Sequence, residues 1–402
     1  MTEVEQAQGT LTALPTDRIA PFDPPPELGA VGAHGGISPL QLPGGHHGWV
    51  VTTFEGVRSV LADPRFTVDR SRAHSPIREI PDELRRETPP GMFLAQDPPD
   101  HTRYRKLLTG QFTVRRMREL SSRVEEFVEQ RLDVLQAEGP PADLVELFAL
   151  PVPSLVICEL LGVDYRQRAE FQERTAGLLR LNTPVKEVRR LAEELDEFML
   201  RLVREKRADP TDDMISGLIQ SDAELTDEEV ANMGMLLLIA GHETTANMLG
   251  LSTLALLEHP DQLDRLRADP ELIPGAVEEL LRYLSILQFG TIRVAQEDIE
   301  FGGQTIRNGQ TIVLHIPQAN RDPEQYIDPD RLDVTRQRVR HVGFGHGVHQ
   351  CLGQQLARVE LTVGLTRLLA RFPGLRLAVD PSEVPLRTDM AIYGVHRLPI
   401  SW

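Results

Sequence analysis

The chain has 402 residues, a formal net charge of −17 and an ordinary apolar fraction of 41%. That length allows a sizeable buried core, and the negative balance argues against non-specific binding to nucleic acid or an anionic membrane, both of which need a basic face. With only Cys158 and Cys351, no disulfide framework can form.

From the start, Met1-Thr2-Glu3-Val4-Glu5 lacks the basic and apolar regions of a signal peptide. The most apolar run, Met233 to Leu257, is interrupted by His242 and Glu243 and reads poorly as a membrane span. The chain is therefore expected to be cytoplasmic. A Pro- and Gly-rich stretch up to Gly48 predicts an extended lead-in, followed by a strand over Trp49–Thr53 and a helix through Val57 to Leu61. Helical patterns dominate from Asp100 to Leu284, broken at Pro140-Pro141, Asn182-Pro184 and Asp209-Pro210. Cys158 lies in the apolar run Leu155–Leu161 and reads as an inert core residue.

The clearest helix start is Thr226, whose Glu229 three residues on completes a capping box, with Leu225 and Val230 as a hydrophobic staple. A helix of about 30 residues from Asp227 would cross roughly 45 Å, the width of a domain. Beyond it, Ile292 to His315 reads as β-rich. Asn308-Gly309, between Gln304–Ile306 and Thr311–Val313, is a hairpin signal. Arg321 to Arg340 reads as a long loop, ordered or disordered, and a last helix is predicted over Leu352–Phe372.

Four groups of residues carry chemistry. In Phe344-Gly345-His346-Gly347-Val348-His349-Gln350-Cys351-Leu352-Gly353, a lone cysteine stands after a glycine-punctuated loop and before a helix. A helix N-terminus favours thiolate over thiol. Ala240-Gly241-His242-Glu243-Thr244-Thr245 places an acid beside an alcohol in the middle of a buried helix, which is costly unless it serves something. Glu279-Leu280-Leu281-Arg282 sets opposite charges at i and i+3; in isolation that would be a surface ion pair. Finally, His101 and Arg105 share a helical face after Pro98-Pro99, suited to a carboxylate.

These segments, in this order, resemble the haem-thiolate cytochromes P450 over nearly the whole chain. The nearest branch is the actinobacterial one designated 105, on Leu238–Asn247, Val348–Gln354 and the terminal Ile392-Tyr393-Gly394-Val395-His396. The resemblance implies one mainly α domain over residues 1–402 with small β sheets, the triangular-prism P450 fold. It implies haem b (iron protoporphyrin IX) with Cys351 as iron ligand. Phe344 and Gly345 would belong to the haem loop, and His101, Arg105, Arg293 and His349 to the propionates. Thr244 would be the alcohol and Glu243 the acid of a proton relay, with His242 turned away from the haem. Glu279 and Arg282 would form a buried structural pair, joined by Arg331 of Pro329-Asp330-Arg331-Leu332.

The implied reaction is hydroxylation or epoxidation of a mid-sized apolar compound, such as a macrolide, a terpenoid or steroid-like molecule, or a xenobiotic. It would use O2 and electrons from NAD(P)H through a reductase and a 2Fe–2S or 3Fe–4S ferredoxin. The substrate would meet Met92, Phe93, Leu237, Ala240, Thr244, Phe289, Ile292 and Ile392. Leu179 to Lys186 would act as a lid, and Arg103, Lys106, Arg115, Arg116 and Arg118 as a ferredoxin-docking patch. A monomer with no nucleic-acid or membrane partner is expected. A peroxygenase would not need the acid–alcohol pair, and a haem sensor would need an output module.

Overall fold

The computed structural model describes residues 10–80, 87–111, 114–337 and 339–402, with all their side chains except those of residues 114, 115, 117 and 118. In chain order, α1 (Pro26–Ala33) is followed by β1 (Ile37–Leu42), β2 (His46–Val51), α2 (Phe54–Ala62) and β3 (Phe66–Thr67). Helices α3 (Asp100–Gln111) and α4 (Val114–Glu138) precede β4 (Ala142–Asp143), α5 (Pro151–Leu161) and α6 (Arg168–Leu179). Next come α7 (Val185–Ala208), α8 (Met214–Ile219), α9 (Asp227–Glu258), α10 (Pro260–Ala268) and α11 (Ile273–Leu284). Strands β5 (Thr291–Ala295), β6 (Ile299–Phe301), β7 (Gln304–Ile306) and β8 (Thr311–Leu314) follow. The chain closes with α12 (Ile316–Ala319), α13 (Gln354–Arg371), β9 (Arg376–Leu377) and β10 (Pro399–Ser401). The chain folds as two compact units, each drawn from separated stretches of sequence.

The first unit comprises Met1–Thr88, Leu94–His101 and Glu278–Cys351. Its five-stranded sheet has the order β1-β2-β8-β5-β3, with β2 and β8 parallel and the other pairs antiparallel. Helix α2 buries Phe54, Val57, Val60 and Leu61, one helical face, in a core with Val51, Ile312 and Leu314. The lead-in is more ordered than its composition suggests. Pro26 occupies the first turn of α1, where its missing N–H costs nothing, and Leu28 and Val31 are buried one turn apart. Strand β1 pairs with β2 from Ile37↔Val51 to Leu42↔His46 and tolerates Pro39 because it is an edge strand. Its stability comes from its partner, which no local pattern shows.

The Asn308-Gly309 hairpin expected between β7 and β8 does not form. Strand β7 pairs with β6, across Gly302 and Gly303 at φ 58° and 75°, while β8 pairs with β2 and β5. The Asn308-Gly309 turn exists, with Gly309 at φ 84°, but Asp298 accepts from the Asn308 N–H and Ala295 from the Gly309 N–H. These bonds hand the chain to β5 instead of folding it back on β7.

The second unit comprises Pro89–Phe93, Thr102–Val277 and Leu352–Trp402. Helix α9 runs unbroken for 32 residues, packed against α5, α7 and α13. The predicted start is present in full. The Glu229 N–H donates to Thr226 Oγ1 at 3.1 Å, the Thr226 N–H to Glu229 Oε2 at 2.8 Å, and Leu225 and Val230 are buried beside them. Helix α13 lies against α4 through Arg371, which pairs with Glu129 at 2.6 Å and Asp133 at 2.8 Å. Cys158 is buried in α5, and desolvation pushes its thiol up to about 12, so it is inert. Among the described residues no helix is long and apolar enough to cross a membrane.

Candidate active site

In the first unit, the loop that ends at Cys351 is shaped by its own backbone. The Gly345 N–H donates to the Val342 carbonyl at 2.8 Å and the Cys351 N–H to the Phe344 carbonyl at 2.9 Å. Gly345 and Gly347 sit at φ 71° and 72°, and a Cβ on Gly347 would stand 2.6 Å from the Leu61 carbonyl of α2. Only glycine allows that approach. Cys351 itself is exposed and in no disulfide.

The loop is held by a buried charge cluster centred on α11. Arg282 Nε and Nη2 each donate to Glu279 at 2.7 Å, and both side chains are 0% exposed. Arg282 also binds the carbonyls of Asn320 at 2.9 Å, Pro329 at 2.7 Å and Arg331 at 3.2 Å. The expected third member is corrected here. Arg331 offers the cluster its carbonyl while remaining exposed, and the second guanidinium on Glu279 is that of Arg336, at 3.1 Å from both oxygens. Arg336 then gathers the carbonyls of Ile327, Asp328 and Arg331, so the segment wraps around its side chain. Asn320 joins this cluster to the cysteine loop, accepting from the Val342 N–H at 2.9 Å and donating to Ser285 Oγ at 2.7 Å.

Three of the four candidate anion-binding side chains lie in the same unit. His101 is buried with its ring 4.1 Å from that of His349. Arg293, on β5, is buried, and desolvation pulls its guanidinium down to about 10 against the opposing charge of Asp97. Its one hydrogen bond among the described residues is to the Ile292 carbonyl at 2.8 Å. A guanidinium has five N–H donors, so this one is fitted to a buried carboxylate. Arg105, half-buried, stands one turn after His101 in α3.

In the second unit, α9 is largely buried; at its middle Met235, Leu236 and Ile239 are half-buried, and one face carries an accessible stripe. Leu237, Ala240, Gly241 and Thr244, at i, i+3, i+4 and i+7, remain half-buried or exposed. Thr244 Oγ1 donates to the Ala240 carbonyl at 2.6 Å. Glu243 and His242 point the other way. His242 is buried, edge-on to Phe171, with Nδ1 2.7 Å from the Leu238 carbonyl and Nε2 3.1 Å from Thr175 Oγ1. Burial pulls its imidazole below the ordinary value. Glu243 is buried against Arg387, at 3.1 Å, and Asn247 Nδ2, at 3.2 Å.

A cysteine loop braced by a buried Glu–Arg pair, and a core helix with an acid–alcohol step, are what the sequence resemblance requires. The Cytochrome P450 family model matches residues 178–393. Cytochrome P450-SU2 of Streptomyces griseolus is 49% identical over 95% of this chain and 94% of its own length. The chain belongs to the cytochrome P450 family. Pentalenic acid synthase of Streptomyces avermitilis is 42% identical over the full length of both chains. Among solved structures, CYP105P1 in complex with filipin I superposes with a TM-score of 0.93, at 43% identity, covering 98% of this chain and 99% of that one. Rif16 superposes at 0.84, with 50% identity over 96% and 98%. The P450 fold, membership of the Streptomyces-rich 105 branch, haem as cofactor and monooxygenase activity on secondary-metabolite or xenobiotic compounds follow from this kinship. O2 and an electron-transfer partner come with that activity.

The other residues singled out for this P450 are distributed as follows. Phe93, Phe289 and Ile392 are buried, Met92 and Ile292 half-buried. The expected lid is the α6–α7 connection, pinned by the Leu181 N–H to the Asp389 carbonyl at 2.9 Å and by the Ala391 N–H to the Leu179 carbonyl at 2.8 Å. In the basic patch, Arg103 is committed to Glu229 at 2.6 Å, and Arg116 to Gln111 at 2.9 Å and Asp212 at 3.1 Å. Lys106 is exposed, and the side chains of Arg115 and Arg118 lie outside the described residues. Sequence reasoning missed Arg336, Asn320, Arg387 and Asn247. Asn247 was legible, being one turn beyond Glu243; the other three act far along the chain from what they touch.

Proposed function

We propose that this P450 hydroxylates or epoxidises a mid-sized apolar molecule, a macrolide, a terpenoid or steroid-like compound or a xenobiotic, with Thr244 and Glu243 serving the oxygen chemistry. The observation that carries this reading is the accessible stripe on α9: apolar at Leu237, Ala240 and Gly241, with Thr244 its only polar side chain. A surface of that kind binds through desolvation of carbon framework, with few polar contacts to fix orientation. Relatives named for pentalenic acid and for vitamin D3, and a neighbour in complex with filipin I, fit the same range.

The residues present suit haem. Cys351 would ligate the iron, Arg293, His101, His349 and Arg105 would face the propionates, and Phe344 and Gly345 would shape the loop beside it. Thiolate-ligated haem supplies activation of dioxygen and insertion of one oxygen atom into the substrate. Arg293, itself buried, would offer a propionate a charged partner. The Thr244 hydroxyl, resting on the Ala240 carbonyl, can turn to donate its proton outward from the stripe. Glu243, next along the chain, refills that proton from the buried side. Electrons arrive from NAD(P)H through a reductase and a ferredoxin of the 2Fe–2S or 3Fe–4S type, to a cytoplasmic monomer.

Two measurements test this. Cys351→Ser should lose the thiolate-type spectrum of the reduced, carbon monoxide-treated protein, and an unchanged spectrum would refute the ligand assignment. A ligand screen scored by the low-to-high spin shift should respond to apolar polycyclic and macrocyclic compounds. A shift given only by small, highly charged molecules would refute the substrate class.

A further inference from the structure

The segment Pro89–Phe93, which carries the pocket candidates Met92 and Phe93, is fastened to α9. It belongs to the second unit, whereas the chain up to Thr88 and again from Leu94 to His101 belongs to the first. Its base is closed by Thr88 Oγ1, which donates to the Ala95 carbonyl at 3.2 Å, and its tip by the Met92 N–H on the Pro89 carbonyl, also at 3.2 Å. On α9 the partner is Asn232, which is buried and whose Nδ2 donates to the Pro90 carbonyl at 2.8 Å. Glu229, one turn earlier on the same face, meets the segment with its backbone. A Cβ on Gly91 would stand 2.4 Å from the Glu229 carbonyl oxygen and 3.1 Å from Asn232 Cβ. Gly91 is also at φ 86°, so both the conformation and the close approach require glycine.

We propose that Asn232 is a positioning residue for substrate selection: its amide holds Pro89–Phe93 on α9 and so fixes where Met92 and Phe93 bound the substrate. This rests on the assignment of Met92 and Phe93 to the pocket. Asn232 stands five residues before Leu237, about 7.5 Å along the helix axis from the start of the accessible stripe. The second unit thus carries the stripe and these two side chains together. The attachment point is itself well fixed. Glu229 closes the capping box with Thr226 and accepts from Arg103 Nη1 at 2.6 Å and from the Tyr104 O–H at 2.8 Å. A carbonyl held by a buried amide has one place to be, and the same carbonyl released to water has many. Where few polar contacts orient a guest, the placement of apolar walls decides which guest fits and which carbon it presents.

The test uses the haem-loaded full chain with two probes, a macrolide and a steroid. It compares Asn232→Leu, Gly91→Ala and a variant combining Met92→Ala with Phe93→Ala. In Asn232→Leu the ratio of the two spin-shift affinities should move by about fivefold, the scale of one net hydrogen bond. The proportions of isomeric products should change with it. Gly91→Ala disturbs the same contact from the other side and should also move both. A loss of stability alone would lower the amount of folded enzyme and leave the affinity ratio and product proportions untouched. The reduced, carbon monoxide-treated spectrum should stay native, since neither residue belongs to the cysteine loop. With Met92 and Phe93 already alanine, Asn232→Leu should change the ratio by less than about 1.5-fold, because the side chains it positions are gone.

Asn232→Ser, which shortens the side chain out of reach of Pro90, repeats the measurement if Asn232→Leu fails to load haem. A native affinity ratio with native product proportions in the Asn232 variant would overturn its role, as would an undiminished shift when Met92 and Phe93 are already alanine. If the Met92→Ala, Phe93→Ala variant itself binds and oxidises both probes as the native enzyme does, the pocket assignment beneath the proposal falls instead.

Discussion

Removing the Glu279 carboxylate should be the most damaging single change to the cysteine loop's support. Glu279 Oε1 and Oε2 receive two bonds from Arg282 at 2.7 Å and two from Arg336 at 3.1 Å, and Oε1 also takes the Asp333 N–H at 3.1 Å. Glu279→Leu leaves the fully buried Arg282 with carbonyl partners only, a buried charge without its counter-charge, at a cost of about 3–5 kcal/mol. Arg282→Met should cost less, about 3 kcal/mol, because Glu279 keeps the Arg336 guanidinium and the Asp333 N–H as partners. The double variant removes both charges and should cost little more than Glu279→Leu alone, giving a coupling energy of about 2 kcal/mol. Arg336 is 16% exposed and makes longer bonds, so Arg336→Met should cost less, about 2 kcal/mol. The exposed Arg331 contributes only its carbonyl, so Arg331→Met should stay within about 0.5 kcal/mol. Urea unfolding followed by far-ultraviolet circular dichroism and by haem absorbance measures all five. An Arg331→Met cost equal to that of Arg336→Met, or a Glu279–Arg282 coupling below about 1 kcal/mol, would refute the reasoning.

Two further predictions concern pH. Despite desolvation, which raises it, the Thr226 N–H, Arg103 and Tyr104 hold the Glu229 carboxyl down at about 2, from an ordinary 4.5. Its contribution, up to about 3 kcal/mol, is therefore present above pH 4.5 and lost as pH falls toward 2. Glu229→Gln should be less stable at pH 7 and indistinguishable at the acid end; a difference constant with pH would contradict this. Glu360 on α13 shows the opposite sign, since burial pushes its carboxyl up to about 8. The unfolded chain ionises there from pH 4.5 while the folded chain does not, so stability is lost as pH rises toward 8, by about 3 kcal/mol at pH 7. Glu360→Met should be more stable at pH 7, with the gain shrinking to nothing near pH 4, and an unaltered pH–stability curve would refute it.

By itself, the sequence determined what is settled within a few residues of chain. The capping box at Thr226, the Glu279–Arg282 pair, the glycine-punctuated approach to Cys351 and the acid–alcohol step at Glu243-Thr244 all depend on spacing along one helix or one turn. Backbone geometry converts such spacing directly into proximity. Tertiary structure alone decided which distant group completes each of them. Arg336, and not Arg331, reaches Glu279 because the intervening segment wraps around its side chain; Arg387 meets Glu243 from 144 positions away in the numbering. Strand β1 and the β6–β7 hairpin were decided the same way, since a strand is stabilised by its partner's open hydrogen-bonding edge, and the choice among partners is made only when the chain is packed.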